Sequence, residues 1–235
     1  MKSVVSRAVA MLALGVLCRG AGAQSTDTIQ AAAARDTSLR VIVSVDHRRL
    51  WAVRGMADTL LNAPVAVGSE QSLAYASRRW TFATPRGVRS VIAKEADPVW
   101  VPPDWHFVEV AQSRHLRLVW LHGDTTIALD GDSTLVERGP WVGLLRSDST
   151  LDAFSGDDIV LQGMLFVPPI GSDSRRVRGQ LGHYRLDLGD GIGIHGTPDS
   201  ASIGKAATHG CMRLRDADIA WLFDHVPLGA RVYIY

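Results

Sequence analysis

From Arg40 onward the chain is written in short apolar runs, each closed by a turn signal, and few folds accept that texture. Val41, Val43 and Val45 alternate with their neighbours, Asp46-His47-Arg48-Arg49 turns the chain, and Leu50-Trp51-Ala52-Val53 returns it as a hairpin. Further strands are expected over 63–67, 79–84, 116–121, 159–167, 184–188 and 231–235, with Thr84-Pro85-Arg86-Gly87 as a turn. One stretch alone keeps a helical period. Asp216 is its expected N-cap, Ile219, Leu222, Phe223 and Val226 fall at i, i+3, i+4 and i+7, and Pro227 and Gly229 end it. Many short strands and one late helix predict a mostly-β fold, a β-sandwich or barrel-like domain with a C-terminal helix on its flank. Residues 107–170 differ, being dense in Asp, Ser, Gly and Arg and closed by Pro168-Pro169-Ile170-Gly171. A structureless loop of that length inside a compact domain is rare, so the segment is read as a large insertion with its own strands.

The first residues are a leader by pattern. Lys2 and Arg7 precede an apolar run over 8–17, and Ala21-Gly22-Ala23 supplies small residues at −3 and −1. The run is short for a bilayer span, and Leu17 sits where a lipoprotein signal centred on Cys18 needs a small residue. A signal peptide over 1–23 is therefore expected, then a linker over 24–39 rich in Ala, Thr, Gln and Asp, then one domain over 40–235. Export, with the periplasm as destination and the wall space as the alternative, follows, and no stable membrane insertion remains after cleavage. The leader holds three of the 25 Lys/Arg and none of the 24 Asp/Glu, so the remainder carries a formal charge of −2 (22 against 24). With no basic stripe in the sequence, nucleic acid is excluded as a partner.

Cysteine usage narrows the function. Loss of Cys18 with the leader leaves Cys211 as the one thiol, which has no internal disulfide partner and is paired between molecules, inert and buried, or reactive. Around it stand Gly193-Ile194-His195-Gly196-Thr197, Ser202-Ile203-Gly204 and Thr208-His209-Gly210-Cys211-Met212-Arg213-Leu214. A cysteine attacks as a thiolate and needs a base, for which His195 and His209 are both candidates. Gly210 allows close approach of a substrate carbonyl, and the N–H groups of Gly210 and Cys211 are candidates for an oxyanion hole. No acidic residue adjoins His195 in sequence to orient it. Two bland alternatives stand at this point: a zinc site of His195, His209 and Cys211, whose spacing matches no common pattern, and ordinary turn residues beside a buried cysteine.

The run from His195 to Leu214 resembles the signature of the L,D-transpeptidase (YkuD-like) catalytic domain, a His-Gly-Thr, a Ser-Ile-Gly and then Ser/Thr-His-Gly-Cys followed by an apolar residue and Arg. The twelve residues between His195 and Thr208 match the spacing of that family's bacterial branch, and the Thr84–Gly87 turn and the terminal helix and strand fall where the family has theirs. The resemblance implies that Cys211 attacks the third residue of a peptidoglycan stem tetrapeptide and expels the terminal D-Ala. It implies His195 as base, the Gly196 carbonyl as its orienting partner, and Thr197, Ser202, Thr208, His209, Gly210 and Arg213 as substrate-binding residues. The implied acceptor is the amine of another stem, giving a 3→3 crosslink, or the terminal lysine of an outer-membrane lipoprotein. Water as acceptor makes the chain a carboxypeptidase or hydrolase of the same bonds, and a non-catalytic wall-binding module is the third reading. No cofactor and no metal are called for. Thr208 stands for the commoner Ser, and Met212 and Leu214 for the usual Ile and Met; the insertion is the larger departure.

Other features read as structural. Trp100 and Trp105, set among Pro98, Pro102 and Pro103, are assigned to packing rather than to a sugar platform. The histidines at 106, 115, 122, 183 and 225 carry no ligand spacing, and Arg175-Arg176-Val177-Arg178 reads as a solvated basic turn.

Overall fold

The computed structural model describes residues 25–130 and 133–235. The expected signal peptide lies outside the described residues.

The N-terminal hairpin and the C-terminal strand build one sheet. Strand Arg40–Ser44 pairs antiparallel with Arg49–Arg54 and parallel with the last strand, Arg231–Ile234, in the register Val41↔Val232 and Val43↔Ile234. Asp58–Pro64 and Gly87–Ser90 complete the two edges. Alternation places Val41, Val43, Leu50, Val232 and Ile234 on one face, all buried. That face packs against Leu186, Ile194 and Met212 of a second sheet ordered Met212–Arg213, Gly193–His195, Tyr184–Asp187 and Ala93–Ala96, and against Leu214 just after it. The architecture is a sandwich of two sheets, mostly β, and the described strands close no barrel.

Among the described residues there are three α-helices where the sequence reading expects one. Helix α1, Thr26–Arg35, occupies the segment read as a linker. Its cause is tertiary: the outer face of the first sheet exposes Ile42, Val88, Tyr233 and Tyr235, and Ile29 and Ala33, one turn apart, cover it. Two anchors are too few to register as a period, although the alanines favour helix and Ser25 caps the first turn by accepting from the Thr28 N–H at 3.3 Å. Helix α2, Asp104–Arg114, buries Phe107, Val108 and Ala111. Helix α3, Asp216–His225, buries Ile219 and Leu222 against the core. Asp216 is its first residue rather than its cap; Arg215 holds the cap position without a side-chain bond.

Between α2 and Val167 the chain forms a β unit beside the sandwich. Arg117–Trp120, Met164–Val167 and Ile159–Leu161 make a three-stranded sheet, and four strands from Thr126–Ala128 to Leu151–Ala153 make a meander. Leu121, Leu135, Val142, Ile159 and Phe166 form its own core, and α2 lies on it through Phe107, Ala111, Leu165 and Val167. Arg175 ties this unit down. The expected solvated turn is a buried cation: its Nε donates to the Pro102 carbonyl at 2.7 Å, Nη1 to that of Pro168 at 2.8 Å, and Nη2 to Asp104 Oδ1 at 2.9 Å. Three bonds satisfy a guanidinium that burial otherwise penalises.

Candidate active site

His195 ends the strand Gly193–His195, between Arg185 and Arg213 on the neighbouring strands. Cross-strand partners share a face, so Arg185, His195 and Arg213 form one row, with Glu95 beyond Arg185. Arg185 is paired, to Glu95 Oε1 at 3.1 Å and Asp187 Oδ1 at 3.4 Å. Arg213 makes no ion pair among the described residues, while its backbone exchanges both hydrogen bonds with Ala66.

The His195 ring is buried, and its Nδ1 lies 2.6 Å from the Gly196 carbonyl oxygen. A carbonyl only accepts, so Nδ1 carries the proton and Nε2 keeps its lone pair. Burial, with the nearby Arg213 and Arg185 charges, pushes the imidazole pKa down to about 4. Gly196 has no room for a side chain: a Cβ there meets Asp216 Oδ1 at 2.7 Å and the Gly182 Cα at 3.1 Å.

Cys211 is half-buried, with its Sγ 3.5 Å from the Gly191 carbonyl oxygen. Burial pushes its thiol pKa up, against a Gly193 backbone hydrogen bond and the Arg185 and Arg213 charges. Both groups are therefore neutral at pH 7 in the free protein. The loop before Cys211 is braced from within: Thr208 Oγ1 donates to the Cys211 carbonyl at 2.6 Å and accepts the Gly210 N–H at 3.1 Å. From outside, buried Thr84 Oγ1 donates to the Gly210 carbonyl at 2.9 Å and accepts the Gly68 N–H at 2.8 Å. Gly210 has φ +129°, a region that favours glycine. Its N–H is already engaged by Thr208, so the two-donor oxyanion hole expected from sequence reduces to one unengaged donor, the Cys211 N–H.

One cleft of about 840 Å³ joins these groups. His195, Cys211, Arg185 and Arg213 line it on the sandwich side, and Trp100, Trp105, His106 and Asp158 face them from around α2. His106 Nε2 lies 3.0 Å from Asp158 Oδ1. Thr208 and His209 also line the cleft, whereas Thr197 and Ser202 are absent from its lining. Those two hydroxyls brace the following loop instead: Thr197 Oγ1 accepts the Asp199 N–H at 3.1 Å and Ser202 Oγ donates to the Asp199 carbonyl at 2.7 Å. His209 turns to α2, its Nε2 3.0 Å from Glu109 Oε2 and its ring stacked on Trp105 at 4.0 Å. Among the described residues no three His, Cys, Asp or Glu side chains gather as a metal ion requires. Sequence reasoning missed Arg185, Glu109 and the cleft-facing side of Trp105. Strand alternation around 184–188 was visible in the sequence, but the register that sets Arg185 beside His195 was not.

Comparison with known proteins gives the family. A family model described as the L,D-transpeptidase catalytic domain, YkuD, matches residues 38–234. "Probable L,D-transpeptidase ErfK/SrfK" of Salmonella typhimurium is 44% identical over 105 residues, 43% of this chain and 30% of that protein. "Probable L,D-transpeptidase YbiS" of Escherichia coli is 44% identical over 66 residues, 28% of this chain and 20% of that protein. The chain thus spans less than a third of the length of these relatives. Among solved structures, the L,D-transpeptidase of Xylanimonas cellulosilytica is 18% identical, with 90% of this chain and 70% of that chain covered at a TM-score of 0.44. This chain belongs to the YkuD family of L,D-transpeptidase catalytic domains.

Proposed function

We propose that the chain is an exported peptidoglycan L,D-transpeptidase that works through a thioester on Cys211. The observation that carries this reading is the His195 Nδ1–Gly196 carbonyl bond, 2.6 Å long, in the cleft that also holds the thiol. It fixes the tautomer whose Nε2 accepts a proton.

In the proposed first step, Cys211 Sγ attacks the carbonyl of the third stem residue while its proton passes to His195. The Cys211 N–H faces the developing oxyanion. The C–N bond to the terminal D-Ala then breaks, and the imidazolium gives its proton to the departing amine. In the second step an acceptor amine attacks the thioester and yields its proton to His195. The C–S bond breaks, and that proton returns to the thiolate. The raised thiol and lowered imidazole pKa values favour proton transfer coupled to attack over a preformed thiolate–imidazolium pair. Arg213, unpaired in the cleft, is assigned to a substrate carboxylate.

Acceptors of this reading are a stem-peptide amine or a lipoprotein lysine. Export rests on the leader pattern over 1–23; among the described residues no helix is long and apolar enough to cross a membrane. Intact-mass spectrometry after incubation with a carbapenem tests the nucleophile: an adduct on the native protein, absent from Cys211→Ala, is expected. A native protein that takes no adduct overturns the proposal. Analysis of digested wall then separates transfer, seen as new crosslinked dimers, from hydrolysis, seen as shortened stems.

A further inference from the structure

The loop that carries Cys211 is braced on one side by its own Thr208 and on another by buried Thr84. Its third side is held from outside the sandwich. His209, two residues before Cys211, points its Nε2 at both carboxylate oxygens of Glu109 on α2, at 3.2 and 3.0 Å. Its ring stacks on Trp105 of the same helix, with centroids 4.0 Å apart and planes at 14°, and meets the Phe82 ring edge-on at 4.3 Å and 74°. An exposed ion pair alone contributes little to stability. Here the partner side chains are 27% and 45% exposed, and two aromatic rings and a carboxylate together fix the imidazole in plane and in rotation. Helix α2 is itself anchored at its first turn, where buried Arg175 bonds Asp104.

We infer that Glu109 is a positioning residue for the cysteine loop, holding His209 so that the Cys211 N–H is aimed at the oxyanion position. The inference rests on the proposed acylation of Cys211, and it gives the β unit around α2 a part in the chemistry. Neutral His209 donates Nε2–H to Glu109, so a glutamine, whose side-chain carbonyl also accepts, preserves the contact, and an alanine removes it. Glu109 touches neither the thiol nor the base; its effect passes through backbone geometry, where displacements well below an ångström change rates.

The test compares wild type, Glu109→Ala and Glu109→Gln in three measurements: acylation by a carbapenem resolved into a rate constant and an apparent affinity, alkylation of Cys211 by iodoacetamide, and melting temperature. Alkylation uses the thiolate but no oxyanion donor, so a positioning role separates the two reactions. Glu109→Ala is expected to lose roughly ten- to a hundredfold in the acylation rate constant. Its affinity and alkylation rate stay within about twofold of wild type, and Glu109→Gln recovers most of the loss. An alanine variant that acylates at the wild-type rate overturns the inference. So does one that loses acylation and alkylation equally, or a glutamine variant no better than alanine. A wild-type protein that is alkylated but never acylated sinks the proposed function itself, and that result is read before any variant is made.

Discussion

Thr84→Val removes one hydroxyl and almost no volume, and the structure sets its cost. Thr84 is 5% exposed, and its Oγ1 both accepts the Gly68 N–H at 2.8 Å and donates to the Gly210 carbonyl at 2.9 Å. No water reaches either group easily once the hydroxyl is gone. Leaving a buried donor or acceptor unpaired costs about 1–3 kcal/mol, so two orphans cost about 2–6 kcal/mol. In a chain of this size each kcal/mol moves the melting temperature by about 2–4 °C, which puts Thr84→Val roughly 4–24 °C below wild type. Thr84→Ser keeps the hydroxyl and loses a methyl, and should stay within about 1.5 kcal/mol. Urea unfolding checks both: the midpoint should fall with an unchanged slope. Because the freed carbonyl belongs to the residue before Cys211, the valine variant should also acylate more slowly than the serine variant. A valine variant within about 0.5 kcal/mol of wild type, or a serine variant as damaged as valine, refutes the claim that this hydroxyl pins the cysteine loop.

Three further outcomes are expected. The folded pKa of His195, about 4, lies below the ordinary 6.5, so as pH falls the unfolded chain binds that proton first. Its contribution, about 3 kcal/mol, is complete above pH 6.5 and is lost as pH drops towards 4; His195→Gln should flatten this part of the stability profile, and an unchanged slope contradicts it. Gly182→Ala places a Cβ 2.6 Å from the Gly196 Cα at a φ of +67°, with backbone on both sides of the clash, and should cost at least about 2 kcal/mol by denaturant titration; wild-type stability would falsify the packing argument. Iodoacetamide alkylation of Cys211 should rise with pH to a midpoint above the ordinary thiol value of about 8.5, and a midpoint near 6 would instead indicate a preformed ion pair.

The parts of this fold that are legible in sequence are those whose side chains meet the core at a regular period. The hairpin of 40–54 and the helix Asp216–His225 announce themselves because every second, or every third and fourth, residue is apolar and faces one surface. Helix α1 is hidden because just two of its residues, Ile29 and Ala33, are buried, and α2 because Phe107, Val108 and Ala111 are a short buried face among charged and polar neighbours. Arg175 looked like a surface cation because burial of a guanidinium depends on three acceptors from residues 102, 104 and 168, none of them a sequence neighbour.

The same division runs through the site. The sequence by itself determined a single candidate nucleophile, the glycines beside it and the family, because these depend on residue identity and spacing along one short stretch. Only the tertiary structure decided which groups surround that stretch. Strand pairing set Arg185 and Arg213 on either side of His195. Thr84 closed on Gly210 across 126 residues. Thr208 occupied the Gly210 N–H, and Glu109 reached His209 from a segment read as an insertion. Thr197 and Ser202 moved out of the cleft for the same reason: a hydroxyl takes whichever acceptor the folded backbone brings nearest, and sequence order does not record that distance.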